Sequence, residues 1–257
     1  MTTTTERFGI AECTRDAVER VGGTFMASPA MAAAAEQKGL NSGVLCLRGR
    51  VGAVGAVDTT TATSMLGTFA PRIVEVAFRR SRYLSAEAAA AEYAEVCAAW
   101  GDDHLAGLPD AEPVAEQAEA VVDSAYVSRP SLVAGWRAWR RPREPAARLA
   151  HALMLLRELR HDLHLAAMRD HGVEMPMAVL ADADGPDRLR RLGWHPPDIA
   201  ALRRKAADTT DLAERCSSAD HDTDARFAAC FGAIGVSEQR TLIDGLAHAD
   251  EVTRLVR

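Results

Sequence analysis

The chain has 257 residues, of which 48% are hydrophobic and 26% are charged. These values exclude wholesale disorder and allow one large domain or two smaller ones. Aromatic residues make up only 5%, which favours close-packed helices over a β-sandwich, and the formal net charge of -6 argues against a strongly basic nucleic-acid binder. No uncharged apolar run reaches the ~18 residues of a membrane span, and no secretion signal precedes the first helix, so we expect a soluble, cytoplasmic protein.

Helix start and stop signals recur through the first half of the chain. A helix is predicted over residues 5–21, closed by Gly22-Gly23, and a second one from Ser28 to Gly39. The glycine-rich stretch 39–55 lacks GxGxxG and GxxxxGK[ST], which disfavours a nucleotide site, and a helix is favoured there over a short strand. The remaining predictions are helices beginning at Asp58 and Pro71, a helix from Ser85 to Trp100, a loop over 101–110 and a helix over 111–127.

The second half is predicted to contain a long helix from Pro145 to Gly172. Three short helices follow, with the tight turns of a helix-turn-helix. The fold class is therefore mainly α: a multi-helix N-terminal domain (1–172) with a long central helix, followed by a degenerate helix-turn-helix or winged-helix-like C-terminal module (173–257). The other predicted segments are a short helix bearing Trp136 and Trp139, the three short helices (176–183, 186–192 and 197–207), a polar loop (216–221) and two closing helices (223–232 and 237–257).

The five cysteines do not form a recognisable motif. They are odd in number, widely spaced and without CxxC, so neither a zinc ribbon nor a dithiol redox pair is indicated. We expect reduced, buried thiols. They are Cys13, Cys46, Cys97, Cys216 and Cys230.

The long helix is the candidate site because it holds four of the eight histidines together with arginines and carboxylates. Glu158, His161 and His164 follow one another at i, i+3 positions, where their heads are neighbours. A histidine beside a carboxylate suits proton transfer near neutral pH, so these three are the candidate catalytic residues. An arginine nearby could clamp an anionic group. The candidate ligand-binding residues are His151, Arg157, Arg160, Asp162, Trp136 and Trp139.

Other interpretations of these residues stay open. Glu-x-x-His is the spacing used in di-iron bundles, but a second copy is absent, so no metal ligand is assigned and the cofactor, haem included, is left unknown. Ion pairs at helical spacing are also often only solvated surface contacts. Trp136 and Trp139 would form either an aromatic, cationic pocket edge or two core anchors. A second apolar strip on the helix (Met154, Leu165 and Met168) predicts contacts on more than one side and motivates a homodimer.

Five short motifs, spread over most of the chain, resemble those of a known family. They are HALMLLRELRHDLHLAAM (151–168), LRGR (47–50), FAP (69–71), Gly193-Trp194 and TDARFAACFGAIG (223–235). The family consists of actinobacterial helix-turn-helix proteins of unsettled function, often encoded near secondary-metabolite genes. The resemblance implies a helix-turn-helix followed by a β-wing, and a role in secondary metabolism.

The chain departs from the family pattern in two places. The family has histidine at Leu159 and glycine at His161 and Leu163, and residues 206–222 offer no alternating strand pair for a wing. The winged-helix module is therefore expected to be degenerate. The positions of this helix that keep the family's residues are His151, Arg157, Glu158, Arg160, Asp162 and His164.

The sequence thus favours a small-molecule-binding helical protein. Its finer form is a tailoring enzyme of secondary metabolism, in which the Glu/His/Arg cluster performs acid–base chemistry or binds an anion. The alternative is a DNA-binding transcriptional regulator that uses Arg203, Arg204 and Lys205 on the third short helix as phosphate contacts. DNA is the disfavoured partner because the whole chain is acidic; no membrane partner is expected.

Overall fold

The computed structural model describes residues 4–254, with side chains from residue 9 onward. All regular elements in this part are helical, which confirms the mainly α fold class. None of the described helices is long and apolar enough to cross a membrane. The last three residues of the predicted closing helix lie outside the described residues.

Fourteen α-helices and two short 3-10 turns, Phe25–Ala27 and Phe231–Ala233, make up the described part. In chain order the helices are α1 (Thr4–Thr24), α2 (Pro29–Gln37), α3 (Ser42–Gly52), α4 (Thr59–Leu66), α5 (Pro71–Arg80), α6 (Ala86–Leu105), α7 (Ala111–Ser124), α8 (Leu132–Arg137), α9 (Pro145–Asp170), α10 (Met175–Leu180), α11 (Gly185–Arg191), α12 (Pro196–Asp208), α13 (Leu212–Cys230) and α14 (Val236–Arg254).

Helix α9 is the axis of the fold, with α1, α6, α7, α8 and α13 packed around it. Its 26 residues span about 39 Å at ~1.5 Å per residue. Leu155, Leu156 and Leu159 are fully buried. Met154, Leu165 and Met168 are buried as well, so the helix does have contacts on more than one side. Because that second strip is covered by the chain itself, it no longer supports a homodimer.

Several helix starts follow the predicted capping chemistry. The Ser28 hydroxyl accepts a hydrogen bond from Met31 N–H, the Asp58 carboxylate from Thr61 N–H, and the Ser85 hydroxyl from Ala88 N–H. Each satisfies one of the amide groups that a helix start leaves without a partner. The glycine-rich stretch is also helical, as α3.

Two glycines expected to lie outside helices are inside them. Gly22 lies within α1, where an added Cβ would lie 2.5 Å from the carbonyl oxygen of Leu153 on α9. Gly101 lies within α6, where an added Cβ would lie 2.6 Å from the carbonyl oxygen of Ala146. These glycines allow close contact between helix backbones rather than ending a helix, so the predicted stop at Gly22 and the loop over 101–110 were wrong in extent.

Two further predictions need correction. The polar segment 216–221 is not a loop, because it lies within α13, where Ala219 is fully buried near the C-terminal end of α9. The helix that bears Trp136 ends at Arg137, so Trp139 lies beyond it. In both cases the packing of neighbouring helices, which local sequence does not show, sets the element boundary.

The three predicted short helices are present as α10, α11 and α12, around a small core of their own. This trihelical unit contacts the turn before α5: the Trp194 indole donates to the Thr68 carbonyl at 2.8 Å, and Ala70 N–H donates to the Leu192 carbonyl at 3.0 Å. The closing helices α13 and α14 pack instead against α1, α7 and α9. The division at 172/173 stays a prediction. It assigns α13 and α14 to the C-terminal module, although both helices contact helices of the N-terminal domain. The residues of the small core are Met177, Val179, Leu189, Ile199 and Leu202.

Candidate functional site

A cavity of about 880 Å³ lies against the C-terminal half of α9. Helix α4, the connection between α7 and α8, and the end of α13 form its other walls. Hydroxyl groups and three arginines line it beside apolar side chains, the mixed surface expected of a site for a polar small molecule. The principal lining residues are Thr60, Thr61, Ser64, Met65, Ser131, Asp162, Leu163, Ala166, Arg169, Arg226 and Cys230.

Asp162 is the carboxylate in this cavity wall. Its Oδ2 accepts a hydrogen bond of 2.8 Å from the N–H of Val133, at the start of α8. Burial raises the pKa of Asp162 to about 6, although hydrogen bonds from Val133 and Ser131 act in the opposite direction. A carboxyl group with that pKa exchanges protons near neutral pH, which is what an acid–base residue must do.

Three cations, Arg129, Arg169 and Arg226, line the same cavity. The Arg226 guanidinium is 2.7 Å from the Asp170 carboxylate and is therefore partly neutralised. The Arg169 side chain donates to the Leu165 carbonyl at 3.2 Å and forms no ion pair within the described residues. Arg169 can therefore bind an anionic group of a ligand.

Glu158 lies in the interior rather than in the cavity. The fully buried carboxylate accepts two hydrogen bonds from Arg50 on α3, at 2.8 and 2.7 Å, and one from Arg157 at 3.1 Å. Burial alone would raise its pKa, but the two guanidinium charges outweigh that effect and lower the pKa of Glu158 to about 2. The group is thus a permanent charge at neutral pH.

His161 and His164 point to different helices. The Nε2 of His161 lies 2.9 Å from the Met65 carbonyl on α4, and burial lowers the pKa of His161 to about 3. The Nδ1 of His164 lies 3.1 Å from the Thr223 hydroxyl on α13, and burial lowers the pKa of His164 as well. The predicted catalytic trio therefore shares one helix, but within the described residues its three heads make no hydrogen bonds to one another.

The predicted ligand-binding residues are similarly dispersed. Arg160 forms ion pairs with Glu19 on α1 and, at 3.1 Å, with Asp224 on α13. His151 is 1% exposed, its ring nitrogens have no hydrogen-bond partner in the described part of the chain, and burial lowers its pKa to about 4. These residues connect or fill the interior, whereas Asp162 lines the large cavity.

The tryptophan pair belongs to the core rather than to the large cavity. Trp136 is fully buried, and its indole N–H donates to the Arg50 carbonyl at 2.9 Å. Trp139 is partly buried, with its ring centroid 5.6 Å from that of Trp136. The core-anchor interpretation therefore describes where Trp136 lies.

The basic residues of the trihelical unit are largely paired. Lys205 contacts Glu174, and Arg188, Arg190 and Arg191 each contact an aspartate. Arg203 and Arg204 are exposed on α12 and form no ion pair in the described region. The N-terminal turn of α12 carries Pro196, Pro197 and Asp198, which offer no cationic contact to phosphates.

Arg50, Arg169 and Arg226 are the functional candidates that sequence reasoning missed. Arg50 lies in the LRGR motif and Arg226 in the TDARFAACFGAIG motif, so motif membership was a usable signal for two of them. Arg169 carried no such signal. Among the described residues, no three histidine, cysteine or carboxylate side chains are grouped so that they could hold a metal ion.

Comparison with known proteins gives one match. A family model described as a helix-turn-helix family matches residues 11–254. No curated protein and no solved structure matches the chain.

Proposed function

The chain belongs to this helix-turn-helix family over nearly its whole length, and we propose that it binds a polar small molecule in the cavity beside α9. The observation that carries the proposal is the 880 Å³ cavity with Asp162 in its wall. Hydroxyl groups from α4 and the Arg169 cation supply the polar contacts, and Leu163 and Ala166 supply the apolar ones.

Acid–base chemistry in this cavity is assigned to Asp162. Glu158 stays ionised and His161 stays neutral near pH 7, because their pKa values are about 2 and about 3. A proton-transfer residue needs a pKa near the working pH, which favours Asp162, at about 6. Glu158 then holds α3 against α9, and His161 holds the cavity-lining α4 against α9.

The finer proposal is a cytoplasmic protein of secondary metabolism in an actinobacterium, either a tailoring enzyme or a sensor of one of its metabolites. Its support is the resemblance in the motifs described above together with the open cavity. In this proposal His164 holds α13, which lines the cavity, against α9 through Thr223, and His151 and Arg160 belong to the interior away from it.

The test is affinity-selection mass spectrometry on the full chain with a defined mixture of polar metabolites that carry a carboxylate or a phosphate. Ala166→Phe fills the cavity and should abolish retention, whereas Ala201→Phe, on an exposed position of α12, should leave it unchanged. Retention of no compound by the wild type, or equal retention by both variants, contradicts the proposal.

A DNA-binding regulator is the second candidate. The family match and the exposed, unpaired Arg203 and Arg204 favour it. Phosphate contacts by these residues would make binding strongly salt-dependent, and Arg203→Gln/Arg204→Gln would lower the salt slope by about 2. Absence of any DNA retardation by the full chain at low salt eliminates this candidate.

A further inference from the structure

A second cavity, of about 700 Å³, lies where the end of α1 meets the start of α2 and the end of α6. It shares no lining residue with the Asp162 cavity, and the proposed function makes no use of it. Arg157, Gly23, Trp100 and His104 are among its lining residues. The His104 ring stacks on that of Trp100 at a centroid distance of 5.0 Å.

The Arg157 guanidinium reaches this cavity from the buried ion pair. Its Nη1 donates to Glu158 at 3.1 Å, the one hydrogen bond that the side chain makes within the described residues. A guanidinium has five N–H donors, so most of them stay available. The side chain is 25% exposed, which leaves those donors accessible from the cavity.

The absence of a side chain at Gly23 leaves room for the Arg157 guanidinium. A Cβ added at Gly23 would lie 3.0 Å from Nε of Arg157 and 3.7 Å from its Cζ. Any side chain at this position would therefore crowd the guanidinium group.

The charges around Arg157 do not balance. Glu158 is a single carboxylate shared by Arg50 and Arg157, so these three groups carry one excess positive charge. The neighbouring Arg20 and Glu19 are already paired, with Asp250 and Arg160 respectively. Asp103 also lines the cavity, but it is exposed and forms no ion pair in the described part.

We infer that this second cavity is an anion site, in which Arg157 binds a carboxylate or phosphate group of a ligand. The unused N–H groups form a planar fork that matches the oxygens of either group. The Arg50–Glu158–Arg157 cluster carries one excess positive charge, which favours an anion at the Arg157 guanidinium, and the unpaired Asp103 carboxylate in the cavity lining offsets part of that charge. The stacked Trp100 and His104 rings add a flat wall beside it.

The test is isothermal titration calorimetry of the full chain with inorganic phosphate and, separately, with benzoate, at constant ionic strength. The two probes distinguish a phosphate ligand from a carboxylate one. Arg157→Gln should weaken binding of the preferred probe about tenfold or more, because it removes a charge-assisted donor. Arg148→Gln is the matched control, since Arg148 lies on the same helix and is 24% exposed.

Arg157→Gln should fold, because Glu158 keeps both hydrogen bonds from Arg50; circular dichroism checks this. Binding that weakens in Arg157→Gln but not in Arg148→Gln supports the anion site. Equal weakening in both variants, no effect in either, or no binding of either probe overturns it. Ala166→Phe should bind the probe normally, so failure of this inference and failure of the first proposal are separable.

Discussion

Arg50 on α3 and Glu158 on α9 form a two-hydrogen-bond ion pair in the interior, although 108 residues separate them in the chain. The Arg50 and Glu158 side chains are only 5% and 0% exposed. Burial of two charges is tolerated only when each satisfies the other, and removal of one partner leaves an uncompensated charge. The pair therefore fixes the position of α3 against α9.

Loss of one partner of this pair should strongly destabilise the protein. We expect Glu158→Gln to lower the free energy of unfolding by about 3–5 kcal/mol, because Arg50 would be left buried without its counter-charge. Urea denaturation at pH 7 measures this. The double variant Arg50→Met/Glu158→Leu should recover most of the loss. Glu116→Gln is the control and should change the stability little, because the Glu116 side chain in its ion pair with Arg148 is 58% exposed. Equal losses in Glu158→Gln and Glu116→Gln would contradict the interpretation.

The raised pKa of Asp162 predicts a pH-dependent stability difference. Its folded pKa of about 6 exceeds the ordinary value of 3.8, so the folded state binds the proton more tightly than the unfolded state. The contribution of this group is fully present below pH ~4 and is lost as the pH rises through ~6. Relative to the wild type, Asp162→Asn should therefore gain about 2 kcal/mol of stability between pH 4 and pH 7.5. If the stability difference between the wild type and Asp162→Asn did not change with pH, the pKa of the Asp162 carboxyl would not be raised in the folded state.

Close packing of α1 on α9 predicts opposite effects for two glycines of the same helix. Gly22→Ala should destabilise the protein by about 1–3 kcal/mol, because the new methyl group would meet the Leu153 carbonyl. Gly9→Ala has nothing within 4 Å of the added Cβ and should be neutral or stabilising by up to about 1 kcal/mol. Thermal unfolding compares the two variants, and similar melting temperatures would refute the close contact.

Attachment of the trihelical unit, α10–α12, should depend on Trp194. Trp194→Phe removes the indole donor to the Thr68 carbonyl, a loss of about 1 kcal/mol. Amide exchange in α10–α12 should accelerate while exchange in α9 stays unchanged. Trp139→Phe is the control, because Trp139 is also partly buried but its indole makes no hydrogen bond within the described residues. Acceleration by both variants would argue against a specific attachment.

Local sequence was sufficient to predict most helices. Ser28, Asp58 and Ser85 cap helices through interactions with residues three positions away, and such contacts can be read directly from the chain. The long central helix and the three short ones, which have proline in the first turn and no side-chain cap, were predicted from helix propensity and from proline and glycine at their ends. Gly22 and Gly101 misled the prediction because a glycine that ends a helix and one that admits a neighbouring backbone look alike in sequence.

The candidate site depended on tertiary structure. The sequence placed Glu158, His161 and His164 on neighbouring turns of one helix, but α3, α4 and α13 each provide a different partner for them. Asp162 lies in the large cavity because the start of α8 packs beside it, and Arg157 reaches the second cavity because α1 offers a glycine there. Helix periodicity determines which residues share a face, whereas burial, charge pairing and pKa are set by the segments distant in sequence that cover that face.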